Sequence, residues 1–406
     1  MRIRSYRALR PVPDLASRIA SLPYDVVSTA ESRALVEGNP DSMLRIARSD
    51  LEFPDDTDPY SDAVYARAKA NWDRLIQEQR LVKEEAPSLY IYRQQMGDHV
   101  QTGVAALCHV DDYDAGLIKK HEKTRKDKED DRVRHTSTLS ANPGPVFLTY
   151  RGQAAIDALV AQATTGAPLL DFTAHTGVRH SVWRVTASEA LITAFGSVPC
   201  TYIADGHHRA ASAARVARER RAANPAHHGA EDYNWFLTVL FPAAQLRILP
   251  YNRLVADLNG RTSQQFLADL ASAGVVTSAA PADPARPGDV SVFLDGRWHG
   301  LAMTPAAQAD PVSRLDVSML QDRVLAPMLG IDDPRTSKRI DFVGGIRGTK
   351  FLEDAVNAGR AKVAFSMHAV TIEQLMDIAD AGQIMPPKST WFEPKLLDGL
   401  FMHTFG

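Results

Sequence analysis

Cys200-Thr201-Tyr202-Ile203-Ala204-Asp205-Gly206-His207-His208-Arg209, running on into the alanine-rich stretch Ala210 to Arg221, carries the most information in this chain. A short apolar run, one glycine and then a long alanine- and arginine-rich segment predict a strand, a sharp turn and a helix. Gly206 permits a tight turn and close backbone approach to a ligand. The helix that follows would turn its unpaired amides and positive dipole end toward the turn. Arg209 in the first helical turn adds a bidentate donor suited to phosphate. Adjacent imidazoles can donate to phosphate oxygens or move protons. Asp205 could bind a metal, act as a base or orient a histidine. Together Asp205, Gly206, His207, His208 and Arg209 describe an anion site at a helix start. The plainer alternative is a capped helix with surface histidines, and His227-His228 beside Pro225 reads that way. Five chemically matched groups in one turn favour the site.

Around this segment the elements mix without regular βαβα alternation, which predicts an α+β protein. Helices are expected over Thr29 to Val36, with Ser28 or Thr29 as cap, and over Tyr60 to Gln79, where Val64, Ala68, Trp72, Leu75 and Ile76 recur at helical spacing. Leu89 to Arg93 and Thr102 to Leu107 read as a hairpin turned at Gly97-Asp98, and Trp235 to Phe241 as a buried strand. Val317 to Leu329 reads as helix. The Ala/Pro-rich stretch Ala279 to Gly288 is the strongest linker-like signal. The expected division is an N-terminal α+β domain over 1–260 and a C-terminal one over 261–406, whose tail at 385–396 packs back on the site.

The chain has 406 residues, 46 Lys+Arg against 49 Asp+Glu, a net charge of −3 and two cysteines. The near-balance of charge disfavours nucleic acid as a partner. Two cysteines, Cys108 and Cys200, exclude a disulfide framework, an iron–sulfur cluster and a zinc ribbon, and both read as core residues. No signal-peptide pattern and no long apolar run occurs, so the expected location is the cytoplasm, without membrane association.

The average hides a patch. Thirteen of the sixteen residues from Lys119 to Arg134 are charged, eight basic and five acidic. Such runs are usually solvated, yet His121, Glu122 and Thr124 form a compact acid/base and hydroxyl set, with Asp131 and Arg132 nearby. Arg125 stands where a zincin would have its second histidine, which rejects a metalloprotease. Near the end, Lys388-Ser389-Thr390 with Glu393 and Lys395 is either half a phosphate cradle or a rigid C-terminal lock. Pro386-Pro387 replaces the glycines of a P-loop, and no GxxxxGK[ST] is present. Asp25, after Pro23-Tyr24, sits at an expected strand end, where it faces a cleft or makes a turn.

Taken together, Leu22-Pro23-Tyr24-Asp25-Val26, His121-Glu122-Lys123-Thr124 with Asp131-Arg132, Asn142-Pro143-Gly144-Pro145-Val146-Phe147, Asp205-Gly206-His207-His208-Arg209 and Met385-Pro386-Pro387-Lys388-Ser389-Thr390-Trp391-Phe392-Glu393-Pro394-Lys395 resemble a large, mainly bacterial family known only as domain of unknown function 1015. More distantly, the Asp-Gly-His-His-Arg turn and its helix resemble the phosphate-binding motif of the ParB/sulfiredoxin superfamily, which includes free serine kinases. That resemblance implies a mixed-sheet phosphate-binding core with large α/β additions.

It also implies phosphoryl transfer to a small hydroxylated metabolite, with free L-serine the first candidate. ATP, ADP or pyrophosphate would be the donor and Mg²⁺ the ion. Gly206, His207, His208 and Arg209 would hold phosphates, with Lys388, Ser389 and Thr390 closing over them. Glu122 or Asp205 would be the base, the other carboxylate holding the metal. Two alternatives stand beside this: a phosphatase of a small phosphometabolite such as phosphoserine, and a nucleotide-binding regulatory protein. A homodimer is compatible with the sequence, which does not decide it.

Overall fold

In the computed structural model, which describes residues 1–405, the decisive stretch is a strand, Thr201–Asp205, a single glycine and a helix, His207–Ala223. The strand lies near one end of a nine-stranded mixed sheet. Its neighbours are Ile118–Lys119, parallel, and Val146–Tyr150, antiparallel. Beyond these come Trp235–Pro242, His99–His109, Leu89–Met96, Arg179–Val185 and Leu170–Thr173. Only the pairing of 146–150 with 235–242 and that of 118–119 with 201–205 are parallel, so the fold is α+β as its element mix predicts.

The helix 207–223 covers this sheet with alanines. Ala210, Ala211, Ala213, Ala214 and Ala217 are buried with Val146, Leu148, Ile203, Phe236 and Leu240. Small side chains let the helix backbone come close to the strands, which holds its first turn against the strand end it grew from. Arginines beyond its first turn find carboxylates: Arg215 pairs with Asp130 and Glu219, and Arg218 with Asp114. A second cluster, built on Trp72, Leu75, Ile46, Met43 and Met402, packs the helix Asp62–Gln77.

The chain divides into two compact units: Met1–Leu246 together with the residues from Pro394 onward, and Arg247–Glu393. The boundary expected from composition, at 260/261, lies 14 residues further on. The second unit has a six-stranded, wholly antiparallel sheet ordered Val275–Thr277, Arg297–Ala302, Asp289–Leu294, Val363–Met367, Tyr251–Val255, Ile340–Gly344. A short ribbon pairs Arg247–Leu249 with Trp391–Glu393.

Three local expectations change. The helix expected at 317–329 is α-helical only over Asp316–Leu320 and then widens into a π turn, Gln321–Leu325. Tyr24 and Asp25 form a turn rather than a strand end, because Pro23 cannot donate to a ladder. Cys108 is fully buried beside Thr238 Oγ1, 3.3 Å from its Sγ, whereas Cys200 is only partly buried. Among the described residues no helix is long and apolar enough to cross a membrane.

Candidate functional site

Gly206 adopts φ +94°, ψ 30° as the N-cap of the helix. A side chain would have room there, since the nearest atom to an added Cβ is Val146 Cα at 3.5 Å. The backbone angle, not crowding, demands glycine. Gly206→Ala is expected to cost about 1–2 kcal/mol of stability and to turn the first helical amides away from the strand end. A urea titration measures the first effect.

Asp205 closes the strand, and its Oδ2 meets Lys395 Nζ at 3.0 Å. Burial alone would raise the Asp205 carboxyl, but Lys395, then Arg209 and His207, hold it below its ordinary value. Lys395 belongs to the returning C-terminal residues of the same unit, so this part of the distinctive tail does reach the turn.

His207 is buried, and its ring stands edge-on to that of His121 with centroids 4.5 Å apart. The backbone N–H of His121 donates to Nε2 of His207 (3.4 Å). The ring proton therefore sits on Nδ1, which lies 3.7 Å from Oε2 of the half-exposed Glu122. Burial, then His121, push the His207 imidazole well below its ordinary proton affinity, so it is neutral at pH 7. Burial lowers His121 to about 4, with Asp205 and a hydrogen bond to the Ile203 carbonyl pulling the other way. Its Nδ1 is buried without a partner, an acceptor that a bound hydroxyl or water would satisfy. His208 Nε2 accepts the backbone N–H of Arg125 at 3.0 Å, which leaves its other nitrogen as a donor.

Arg209 bonds through Nη1 to the carbonyl of Pro145 (2.9 Å) and to Oδ1 of Asp398 (3.0 Å). Burial opposes its charge, but Asp398, Asp25, Tyr24 and Asp205 outweigh burial and raise its proton affinity further. Nη1 makes both bonds, so Nε and Nη2 remain for a ligand. Asp398 reaches Arg209 only because residue 144 is glycine: a Cβ there would lie 1.9 Å from Asp398 Oδ1. Asp398 is the residue that sequence reasoning missed. Its only signal is its place three positions after Lys395. A recess at this turn is lined by Pro23, Asp25, Pro145, Phe147, Asp205, Gly206, Arg209 and Leu396, with Asp25 exposed at its edge.

The structure thus brings Asp25, His121, Glu122, Asp205, Gly206, His207, His208, Arg209 and Lys395 to one place. Other candidates serve a supporting network. Asp131 accepts from Tyr65 O–H (2.7 Å) and from Arg132 (2.7 Å), and Arg132 lies over the Tyr24 ring at 4.1 Å. Thr124 donates to Glu129 at 3.1 Å. Lys388, Ser389, Thr390 and Glu393 belong to the second unit. There the Ser389 hydroxyl is committed to the Pro386 carbonyl (2.7 Å), and Glu393 accepts from the Trp391 indole (2.7 Å). Among the described residues no three His, Cys, Asp or Glu side chains form a metal-holding group.

The sequence profile described as "Protein of unknown function (DUF1015)" matches residues 3–318. No curated protein matches the chain. Among solved structures it is similar to a conserved hypothetical protein from Pyrococcus furiosus, at 13% identity over 73% of this chain and 94% of that one, with a TM-score of 0.37. It is similar also to a free serine kinase in complex with AMP, at 12% identity over 73% and 91%, TM-score 0.35. A C-terminally truncated SbnI from Staphylococcus aureus gives 12% over 73% and 86%, TM-score 0.40. At these identities and superpositions no chemistry transfers from them to this chain.

Proposed function

This chain belongs to the DUF1015 family of proteins of unknown function, and on that premise we propose that it is a phosphoryl-transfer enzyme acting on a small hydroxylated metabolite. Free L-serine is the first substrate to try, with ATP, ADP or pyrophosphate as donor. The observation that carries this reading is the Asp205-Gly206 turn: the helix start and Arg209 border one recess, and Lys395 pairs with Asp205 at its wall. An open helix start with two fixed cations suits phosphate oxygens. Nη2 and Nε of Arg209, the amides after Gly206 and the free nitrogen of His208 would hold the donor.

The two carboxylates divide the remaining work. Asp205 is held ionised by Lys395 and Arg209 and is therefore a weak proton acceptor. Glu122 faces the Nδ1–H of a neutral His207 and is half-exposed toward solvent. Glu122 is accordingly assigned as the base that takes the acceptor hydroxyl's proton, with His207 orienting it. A Mg²⁺ ion, which favours one or two carboxylates plus phosphate oxygens and waters over a protein cage, would fit the free oxygen of Asp205. When bound it would neutralise charge on the transferring group.

The test is product formation from serine with each donor, using Asp205→Ala and Glu122→Gln as controls. Glu122→Gln is expected to lower kcat by about a hundredfold or more while leaving donor affinity near wild type. If no phosphoserine forms with any donor, or if it forms equally in the controls and the parent, the kinase reading is sunk. Phosphate release from phosphoserine without nucleotide would assign the phosphatase instead.

A further inference from the structure

Arg253 lies in the strand Tyr251–Val255 and is 3% exposed. No carboxylate of the described residues pairs with it. Its guanidinium donates instead to the backbone carbonyls of Tyr251 and Lys388, the latter at 3.1 Å. Lys388 takes the left-handed backbone conformation, φ +58°. Burial pushes the guanidinium down to about 10. Two carbonyls occupy two of five N–H donors, and a buried cation without a counter-charge is a costly arrangement to keep for packing alone.

The same guanidinium lines a pocket of about 290 Å³ wholly within the second unit. Val317, Leu325, Phe342, Pro386 and Pro387 make its apolar walls. Gln321 and Leu325, which also face it, are the first and last residues of the π turn. Such turns recur where a helix is shaped around a ligand. The proline-rich loop picked out in the sequence thus roofs a cavity in which Arg253 is the basic group not met by a carboxylate. Arg335, the other basic residue on the wall, is held by Asp333 through Nε (2.9 Å) and Nη2 (2.8 Å).

We infer that this pocket binds a small organic monocarboxylate with an apolar body, its carboxylate on the fork of Arg253. The planar guanidinium matches a carboxylate bidentately. The volume lies at the small end of ligand sites. Arg253 offers one positive charge to one negative charge, and Asp332 on the same wall disfavours a phosphate dianion more than a monoanion. This inference stands on the second unit alone and does not depend on the phosphoryl-transfer reading.

The test measures melting temperature and calorimetric binding of the full chain with isovalerate, 3-phenylpropionate, the neutral amide isovaleramide and inorganic phosphate. Carboxylate is expected to bind and raise the melting temperature, while amide and phosphate do not. Arg253→Gln should weaken carboxylate binding by about ten- to a hundredfold, the worth of a charge-assisted pair. Val317→Phe, which fills the pocket and leaves Arg253 in place, should abolish it. No carboxylate binding at about 10 mM, a very weak affinity, would overturn the inference. So would equal binding of acid and amide, binding of phosphate alone, or carboxylate binding unchanged in both variants.

Discussion

Lowering the pH from 7.5 to about 5 is expected to unfold the first compact unit. Burial holds His121, His135 and His403 down to about 4 and His180 to about 3, against an ordinary value of 6.5. The sign follows from where protons go. Below pH 6.5 the unfolded chain takes them up while these native imidazoles do not, so stability falls as pH falls. Each histidine removes about 1.4 kcal/mol per pH unit until its folded value is reached. All four lie in the first unit. Together they consume about 5 kcal/mol by one unit below 6.5, a large part of an ordinary domain's stability of roughly 5–15 kcal/mol. Urea midpoints between pH 7.5 and 5 measure the slope. His180→Phe should reduce it by one proton. That ring lies between Tyr92 and Phe172, and its Nε2 is buried without a partner. A flat profile would contradict the neutral, buried state of these rings.

Asp398→Ala is expected to destabilise the first unit by about 3–5 kcal/mol, the usual result of removing one partner of a buried ion pair. Asp398 is buried and, among the described residues, is the one carboxylate hydrogen-bonded to Arg209. Alanine would leave a buried guanidinium with the Pro145 carbonyl as its remaining hydrogen-bond acceptor. Asp398→Asn keeps the shape and one acceptor, and should recover part of the loss. A double-mutant cycle with Arg209→Met separates the two terms: the pair of changes together should cost less than their sum. Additive losses would show that Arg209 does not depend on Asp398.

The strand–turn–helix at 201–223 was legible because every local rule agrees there: apolar run, glycine, alanine-rich helix. The charged segment was harder to read. Its net positive charge was visible, but Asp131 and Arg132 answer to Tyr65 and Tyr24, partners far away in sequence. Lys395 was visible within a distinctive motif, yet its partner Asp205 lies 190 residues earlier. Asp398 carried no motif at all, and only its closeness to Gly144 explains why that position lacks a side chain. The hydroxyl of Ser389 looked like part of a phosphate cradle, but a proline carbonyl two residues before Lys388 already claims it. Residue type and spacing announce what a group can do. They do not show which neighbour has engaged it first.

The order of synthesis gives the interrupted first unit a further meaning. Asp205 and Arg209 leave the ribosome long before Lys395 and Asp398, because the whole second unit is translated in between. At roughly 5–20 residues per second, the 190 residues separating Asp205 from Lys395 take about 10–40 s. During that interval the nascent helix start carries an unpaired aspartate and an arginine without its carboxylate. The recess at the Asp205-Gly206 turn is therefore completed late, and a chain halted inside the second unit would lack the Lys395 and Asp398 partners of Asp205 and Arg209.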